Sequence, residues 1–238
     1  MRDRVPDFPS RTTTNVWVEQ AVFTSLPRHG RGGYHLVSRS SGVSGEEAQA
    51  ISRWSPSHGS LLQDQSNRVS VNFFSLPGGR FALARSCEGP PEYSGRGGRQ
   101  LYTHILIIDS KNLEAVAGQP FVIYHNALAL GHLFYQTNPP ELLEPIELPG
   151  FHPARDPAAW LDRARKLGLP ALEPLRDRLL AGRPVRFSFA GDRAVLAECL
   201  IGSLGSGAVH KISFATSLQP SSDRPFVLSL VDNRKQKI

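Results

Sequence analysis

Residues 68–87 read RVSVNFFSLPGGRFALARSC, and residues 100–109, a little further along, read QLYTHILIID. The first stretch holds two runs rich in β-branched and aromatic residues joined by LPGG, a pattern typical of a tight hairpin. It predicts strands at Val69–Leu76 and Arg80–Arg85, the first with one buried face because apolar and mostly polar residues alternate. The mainly apolar run Leu101–Ile108 predicts a central strand of the same, mainly antiparallel sheet.

Two strands and a helix are predicted on the N-terminal side of this hairpin. VWVEQAVFTS at Val16–Ser25 and the run that begins at Tyr34 both have strand composition. The glycine- and arginine-rich segment between them predicts a hairpin loop of about seven residues. Ser44 followed by Glu47 is a capping-box pattern, which predicts a helix over Gly45–Arg53.

The middle of the chain is predicted to be helical, with segments at 110–118, 120–130, 156–168 and 170–182 bounded by proline and glycine signals. Residues 136–155 contain five prolines and predict a linker or an extended crossing segment. Six apolar residues recur at helical spacing in the last two helices and are predicted to be buried: Trp160, Leu161, Leu167, Leu172, Leu175 and Leu179.

The last third predicts a strand at 185–190, a helix at 192–204 and strands at 210–216 and 226–231. The fold class expected is therefore α+β: a mixed, mainly antiparallel sheet in the first half, a helical middle and a C-terminal β-α-β-β unit.

The predicted organisation is one domain over residues 16–232. A sub-division near 137–155 is the alternative, since prolines cluster there. A disordered tail is predicted at 1–15 and a short basic tail at 233–238.

Composition excludes several classes of protein. The two cysteines, Cys87 and Cys199, are too few for a disulfide framework and fit a reducing compartment. No apolar run approaches the roughly 20 residues that a membrane helix needs, and no signal-peptide pattern is present, so a cytoplasmic location without membrane contact is expected. The net charge of +6 keeps an anionic partner open, including nucleic acid.

The most informative motif is a short sequence that occurs twice: GRGGY at 30–34 and GRGGR at 95–99, each directly before a predicted strand. Glycines permit a close backbone approach, and arginine offers a planar donor fork for phosphate or carboxylate. The alternative is that both are turns whose arginines are simply solvated. Eight candidate binding residues lie in or beside the two motifs: Arg31, Tyr34, Glu92, Tyr93, Arg96, Arg99, Tyr102 and His104.

A catalytic interpretation of the second motif is weaker. Glu92, Tyr93, Arg96 and His104 could act on a nucleotide or another phosphorylated substrate if they converged in one pocket. The spacing matches no phosphate loop, nucleophile elbow or metal-ligand set, so no catalytic residue, metal or cofactor is predicted. A histidine on a strand is more often a hydrogen-bonded structural residue.

Four ordered segments together resemble a known family: residues 18–61, VNFFSLPGGRFALARS at 71–86, EYSGRGGRQLYTHILII at 92–108 and ISFATSLQPSSDRPFVLSLV at 212–231. They are similar to the N-terminal domain of bacterial GTPase-associated proteins, found in predicted NTP-dependent conflict (defence) systems. The resemblance spans about residues 16–232.

The resemblance implies a component that is not itself a GTPase and that acts beside one. A non-catalytic adaptor or recognition module, binding a partner protein such as a GTPase encoded nearby, is the leading prediction. An enzyme and a nucleic-acid-binding module are the two alternatives. The family supplies no catalytic residues to carry over.

Overall fold

The computed structural model of the chain describes residues 14–28, 30, 32–62, 68–92, 97–150 and 156–232. The strands are β1 (Thr14–Ser25), β2 (Tyr34–Ser40), β3 (Val69–Ser75), β4 (Phe81–Pro91), β5 (Arg99–Ile108), β6 (Leu142–Leu143), β7 (Ile146–Gly150), β8 (Val185–Ser188), β9 (Phe214–Ala215) and β10 (Leu228–Val231). The α-helices are α1 (Gly45–Trp54), α2 (Ser110–Ala115), α3 (Pro120–Ala129), α4 (Pro157–Lys166), α5 (Glu173–Leu180), α6 (Arg193–Ser203) and α7 (Ser206–Val209).

All ten strands belong to one mixed sheet, in the order β6-β2-β1-β5-β4-β3-β9-β10-β8, with β7 paired to β1 beside β2. The pairs from β2 to β9 in this order are antiparallel, whereas β10 is parallel to β8 and β9, and β6 is parallel to β2. This is the α+β fold expected from the sequence. The predicted central position of Leu101–Ile108 is confirmed, because β5 lies between β1 and β4.

Both faces of the sheet are covered. Alternate residues of β5 separate them: Leu106 and Ile108 pack in the large cluster with helices α2, α3, α4 and α6, whereas Ile105 and Ile107 pack on the other side with Ile51 of α1. The sequence predicted one buried face for the first strand of the LPGG hairpin. This prediction is wrong, because five consecutive residues of β3 are buried. Helices cover the sheet on both sides, so neither face of β3 is exposed to solvent, although the alternation of apolar and polar residues suggested one exposed face.

Helix α1 forms as its sequence predicts. The Ser44 hydroxyl accepts from the Glu47 backbone N–H, and the Glu47 carboxylate accepts from the Ser44 backbone N–H, which completes the capping box. The helix ends with Trp54, whose ring stacks on Phe74 of β3 at a centroid distance of 5.1 Å. This aromatic contact attaches α1 to the sheet.

The proline-rich stretch 136–155 is not only a linker. It contains β6 and β7, and β7 pairs with the N-terminal half of β1. Pro149 lies opposite Asn15 in that pair. Because β7 pairs with β1 alone among the described strands, its one proline interrupts no second ladder.

Several further boundaries differ from the sequence expectation. Strand β4 continues to Pro91 rather than ending at Arg85. Helix α5 begins at Glu173 rather than at Pro170, because Pro174 takes a first-turn position where no backbone N–H is needed. Within 210–216 only Phe214 and Ala215 form a strand, preceded by the short helix α7. Strand β1 begins at Thr14, two residues before its predicted start.

The leucine prediction for α4 and α5 is largely confirmed. Trp160, Leu161, Leu172 and Leu179 are buried, and Leu175 packs on the same cluster while partly exposed. The prediction that Leu167 is buried is wrong, because this residue is 52% exposed at the C-cap of α4. The helix has already ended there, so helical spacing no longer decides its direction. Among the described residues, no helix combines the length and apolarity that crossing a membrane requires.

Candidate functional site

The described residues of the two glycine-arginine motifs, 30, 32–34 and 97–99, lie at one end of the sheet. Strand β1 runs antiparallel to β5, with Thr24 opposite Tyr102, so the end of β1 adjoins the start of β5. Strands β2 and β4 flank this central pair. The β1–β2 connection (26–33) and the β4–β5 connection (92–98) therefore start from the same end of the sheet. Together with Tyr34 and Arg99, these two connections are called the paired-loop surface.

Glu92 joins the two connections at their base. Its carboxylate accepts from the Ser25 hydroxyl at 2.6 Å and from the Tyr34 hydroxyl at 3.3 Å. Ser25 ends β1 and Tyr34 begins β2, so one carboxylate on the second connection holds both ends of the first. The bond to Ser25 is short and the bond to Tyr34 is long, so Ser25 makes the stronger half of this crosslink.

Tyr34 and Gln100 extend the crosslink to β5. The Tyr34 hydroxyl accepts from the Leu101 backbone N–H at 2.9 Å. Burial, with a further contribution from the Glu92 carboxylate, raises the pKa of Tyr34 to about 12, so the phenol stays protonated and can donate to Glu92. Gln100 donates from Nε2 to the Thr24 hydroxyl at 2.9 Å and to the Ser25 carbonyl.

Gly98 sets the path of the second connection. The Glu92 backbone N–H donates to the Gly98 carbonyl at 3.1 Å and closes the loop. Gly98 has φ +83°, and a Cβ atom on it would overlap the imidazole of His58. The positive φ favours glycine at this position of GRGGR, and the exposed His58 ring would have to move to make room for any larger residue.

The described arginines of the surface differ in freedom. Arg99 is 56% exposed, with its Nε 3.5 Å from a Glu88 carboxylate oxygen. Arg28 is held by three acceptors, the carbonyls of Val37 and Pro139 and the amide oxygen of Asn138. Arg99 can therefore turn towards a ligand, while Arg28 supports the loop.

Three of the eight candidate residues, Arg31, Tyr93 and Arg96, lie outside the described residues. The other five fall into two groups. Tyr34, Glu92 and Arg99 lie together at the paired-loop surface.

Tyr102 and His104 form the second group, in the protein interior. As their period-two spacing predicts, they share a face of β5, with ring centroids 6.5 Å apart. His104 is 3% exposed, and its Nε2 lies 2.9 Å from the Gln20 side-chain oxygen. Burial, followed by nearby His132 and Arg85, lowers the pKa of His104 to about 4. The imidazole is therefore neutral at pH 7 and acts as a core hydrogen-bond partner.

Glu92 and His104 are not brought into one pocket. Glu92 contacts Tyr34, which packs with Leu101, whereas Tyr102 and His104 project from β5 on the opposite side. In the part of the chain that the structure describes, no group of three or more His, Cys, Asp or Glu side chains is placed to hold a metal ion. The chemistry available at the paired-loop surface is recognition of an anionic or polar group by arginine and tyrosine.

Three residues at the base of the surface were not predicted from the sequence: Ser25, Gln100 and His58. No local signal identifies them, because their roles depend on the pairing of β1 with β5 and on a contact between distant segments. The repeated GRGG sequence was the one feature of the sequence that pointed to a binding surface at this end of the sheet.

Comparison with known proteins gives one finding. The family profile described as GTPase-associated protein 1, N-terminal domain type 2, matches residues 17–145. Searches against curated proteins and against solved structures return no match. The matched region runs from β1 to β6, contains the whole paired-loop surface, and covers more than half of the 238 residues. The chain therefore belongs to the family of the GTPase-associated protein 1 N-terminal domain, type 2.

Proposed function

We propose that this chain is a non-catalytic recognition module of a GTPase-associated, defence-related system and that it binds a partner protein through the paired-loop surface. The observation that carries the proposal is that the described residues of the two GRGG motifs lie at one end of the sheet, over a base crosslinked by Glu92. A crosslinked base limits the entropy lost when the loops engage a partner. Membership of a GTPase-associated family supports the same interpretation.

The partner that this proposal favours is a GTPase encoded nearby, which the chain would bind in the cytoplasm. Arg31, Arg96 and Arg99 supply guanidinium groups that suit carboxylates on its surface, and Tyr34 and Tyr93 supply aromatic contact area. Arginine and tyrosine are also the residue types that most often dominate the energy of an interface.

The enzyme alternative has less support than the adaptor. It requires Glu92, Arg96 and His104 in one pocket, but His104 is buried on the other side of β5 and bonded to Gln20. A neutral, enclosed imidazole cannot exchange protons readily with a substrate at the loops.

Calorimetric titration with the neighbouring GTPase tests the proposal. We expect Arg96→Ala to weaken binding by about 1–3 kcal/mol while the unfolding temperature stays close to that of the parent protein. Arg96→Lys should also weaken binding, because an ammonium group cannot form a two-point contact to a carboxylate. Arg186→Ala, at an exposed position of the distant strand β8, is the matched control and should bind like the parent.

Unchanged binding together with a large loss of stability in Arg96→Ala would make this arginine structural and contradict the proposal. The nucleic-acid alternative is separated by salt, since phosphate contacts make affinity fall steeply as salt concentration rises. Tight binding of single- or double-stranded nucleic acid with that salt dependence, and no binding of the GTPase, would favour the alternative.

A further inference from the structure

A groove runs between strand β2 and helix α1. Its volume is about 760 Å³, within the range of ligand-binding clefts. One wall is the β2 segment 35–39 with Arg28, and the other is formed by Ala48, Gln49 and Ser52 of α1. Glu141 lies at the end where β6 begins.

The β2 wall is a sheet edge that is only partly used. Strand β6 pairs with β2 at Arg39 and Ser40 alone, and the Arg39 backbone N–H donates to the Glu141 carbonyl. Among the described residues, the part of β2 from Tyr34 to Ser38 has β1 as its one strand neighbour. An open edge of this kind is a template for an added strand, which gains backbone hydrogen bonds.

A buried hydroxyl in the same wall also points to a ligand. Ser38 is 2% exposed, and its Oγ has no hydrogen-bond partner among the described residues. Buried polar groups without a partner are uncommon in folded proteins, because each costs about 1–3 kcal/mol. An added chain that donates to or accepts from this hydroxyl removes the cost.

The charge of the groove favours an acidic occupant. Arg28 and Arg39 line it, and Glu141 is the one acidic residue among the described residues of the lining. Arg28 holds the Val37 carbonyl in the free protein. It also bonds Asn138 and Pro139, so an incoming carboxylate meets a guanidinium that is already fixed at the groove wall.

We propose that this groove binds an extended, acidic segment of a partner protein, which adds to the open part of β2 in line with β6. Backbone pairing to β2 supplies the affinity, and carboxylates that face Arg28 and Arg39 supply the selectivity. The groove and the paired-loop surface share Arg28 and are otherwise formed by different residues.

The test uses the full chain labelled with ¹⁵N and a short synthetic peptide of alternating glutamate and valine. We expect chemical-shift changes concentrated in β2 and α1. Arg39→Glu should weaken peptide binding by about tenfold or more, because the variant places like charges together. Arg53→Glu, the same charge change at an exposed position of α1 outside the groove, is the control and should change affinity by less than about twofold.

A second variant, Gln49→Glu, changes the charge of the α1 wall without touching β2, so it keeps the test valid if Arg39→Glu folds poorly. Equal binding of a lysine–valine peptide, shifts centred on another surface, or no binding at millimolar peptide would each overturn the proposal. So would displacement of the acidic peptide by oligothymidylate, which would assign the groove to nucleic acid. Arg96→Ala should bind the peptide normally, so a failure of the groove and a failure of the paired-loop surface are distinguishable.

Discussion

Tyr34 is the residue on which the base of the paired-loop surface depends. Its hydroxyl accepts from the Leu101 N–H and donates to Glu92, so it links β2, β5 and the second loop. We expect Tyr34→Phe to lower the free energy of unfolding by about 1–2 kcal/mol, since a backbone N–H loses its acceptor in a half-buried position. Urea denaturation measures this change.

Tyr135→Phe is the matched control for that experiment, because the described residues give its hydroxyl no hydrogen-bond partner. Its free energy of unfolding should stay within about 0.5 kcal/mol of the parent. Equal effects of the two substitutions would show that the Tyr34 hydroxyl has no special role in the crosslink.

His104 makes the protein sensitive to mild acid. Its pKa in the folded state, about 4, lies below the ordinary value of 6.5, because burial and the nearby His132 and Arg85 disfavour the imidazolium. Between these values the unfolded chain binds a proton that the folded chain does not. Stability should therefore fall as the pH is lowered from about 6.5 towards 4, by up to about 3 kcal/mol from this residue.

Denaturant unfolding of the parent and of His104→Gln at several pH values between 5 and 6.5 tests this prediction, and the variant should show the shallower slope. An NMR titration gives a direct reading of the site. A His104 midpoint near 6.5 in the folded protein would contradict the expected shift.

At the level of secondary-structure elements, helices α4 and α6 pack through a glycine. A Cβ atom on Gly202 of α6 would overlap the indole of Trp160 in α4. We expect Gly202→Ala to destabilise the protein by about 1–3 kcal/mol, although alanine favours a helix more than glycine does. Thermal unfolding measures the outcome.

Gly207→Ala is the control for helix propensity. No side chain or backbone atom of the described residues outside its own helix turn lies within 4 Å of the position that a Cβ would take on this exposed glycine of α7, so the substitution should be neutral or slightly stabilising. A stabilising effect at Gly202 as well would mean that the α4–α6 contact adapts without loss.

At the level of the whole molecule, the sheet continues past the family-matched region. Strands β7 to β10 and helices α4 to α7 all follow residue 145, and several supply side chains to the large cluster that covers one face of the sheet. We predict that a fragment ending at residue 145 loses cooperative unfolding, because that face is left uncovered and β3 loses β9. Circular dichroism in urea and the dispersion of ¹H–¹⁵N spectra report the result.

A sharp unfolding transition and a dispersed spectrum for that fragment would contradict the prediction. They would instead support the sub-division near 137–155 and make the C-terminal part a separate folding unit. The complete chain is the control and should unfold in a single transition.

The sequence by itself determined the elements whose causes are local. Ser44 and Glu47 were enough to predict the start of α1, and the LPGG turn was enough to predict the hairpin of β3 and β4. Tertiary structure alone decided that β1 pairs with β5, which brings Ser25 to Glu92, sets the starting points of the two loops side by side and encloses His104. The reason is physical: capping and turn geometry act over a few residues, whereas strand order joins segments that are about 80 positions apart and is set by burial of the whole sheet.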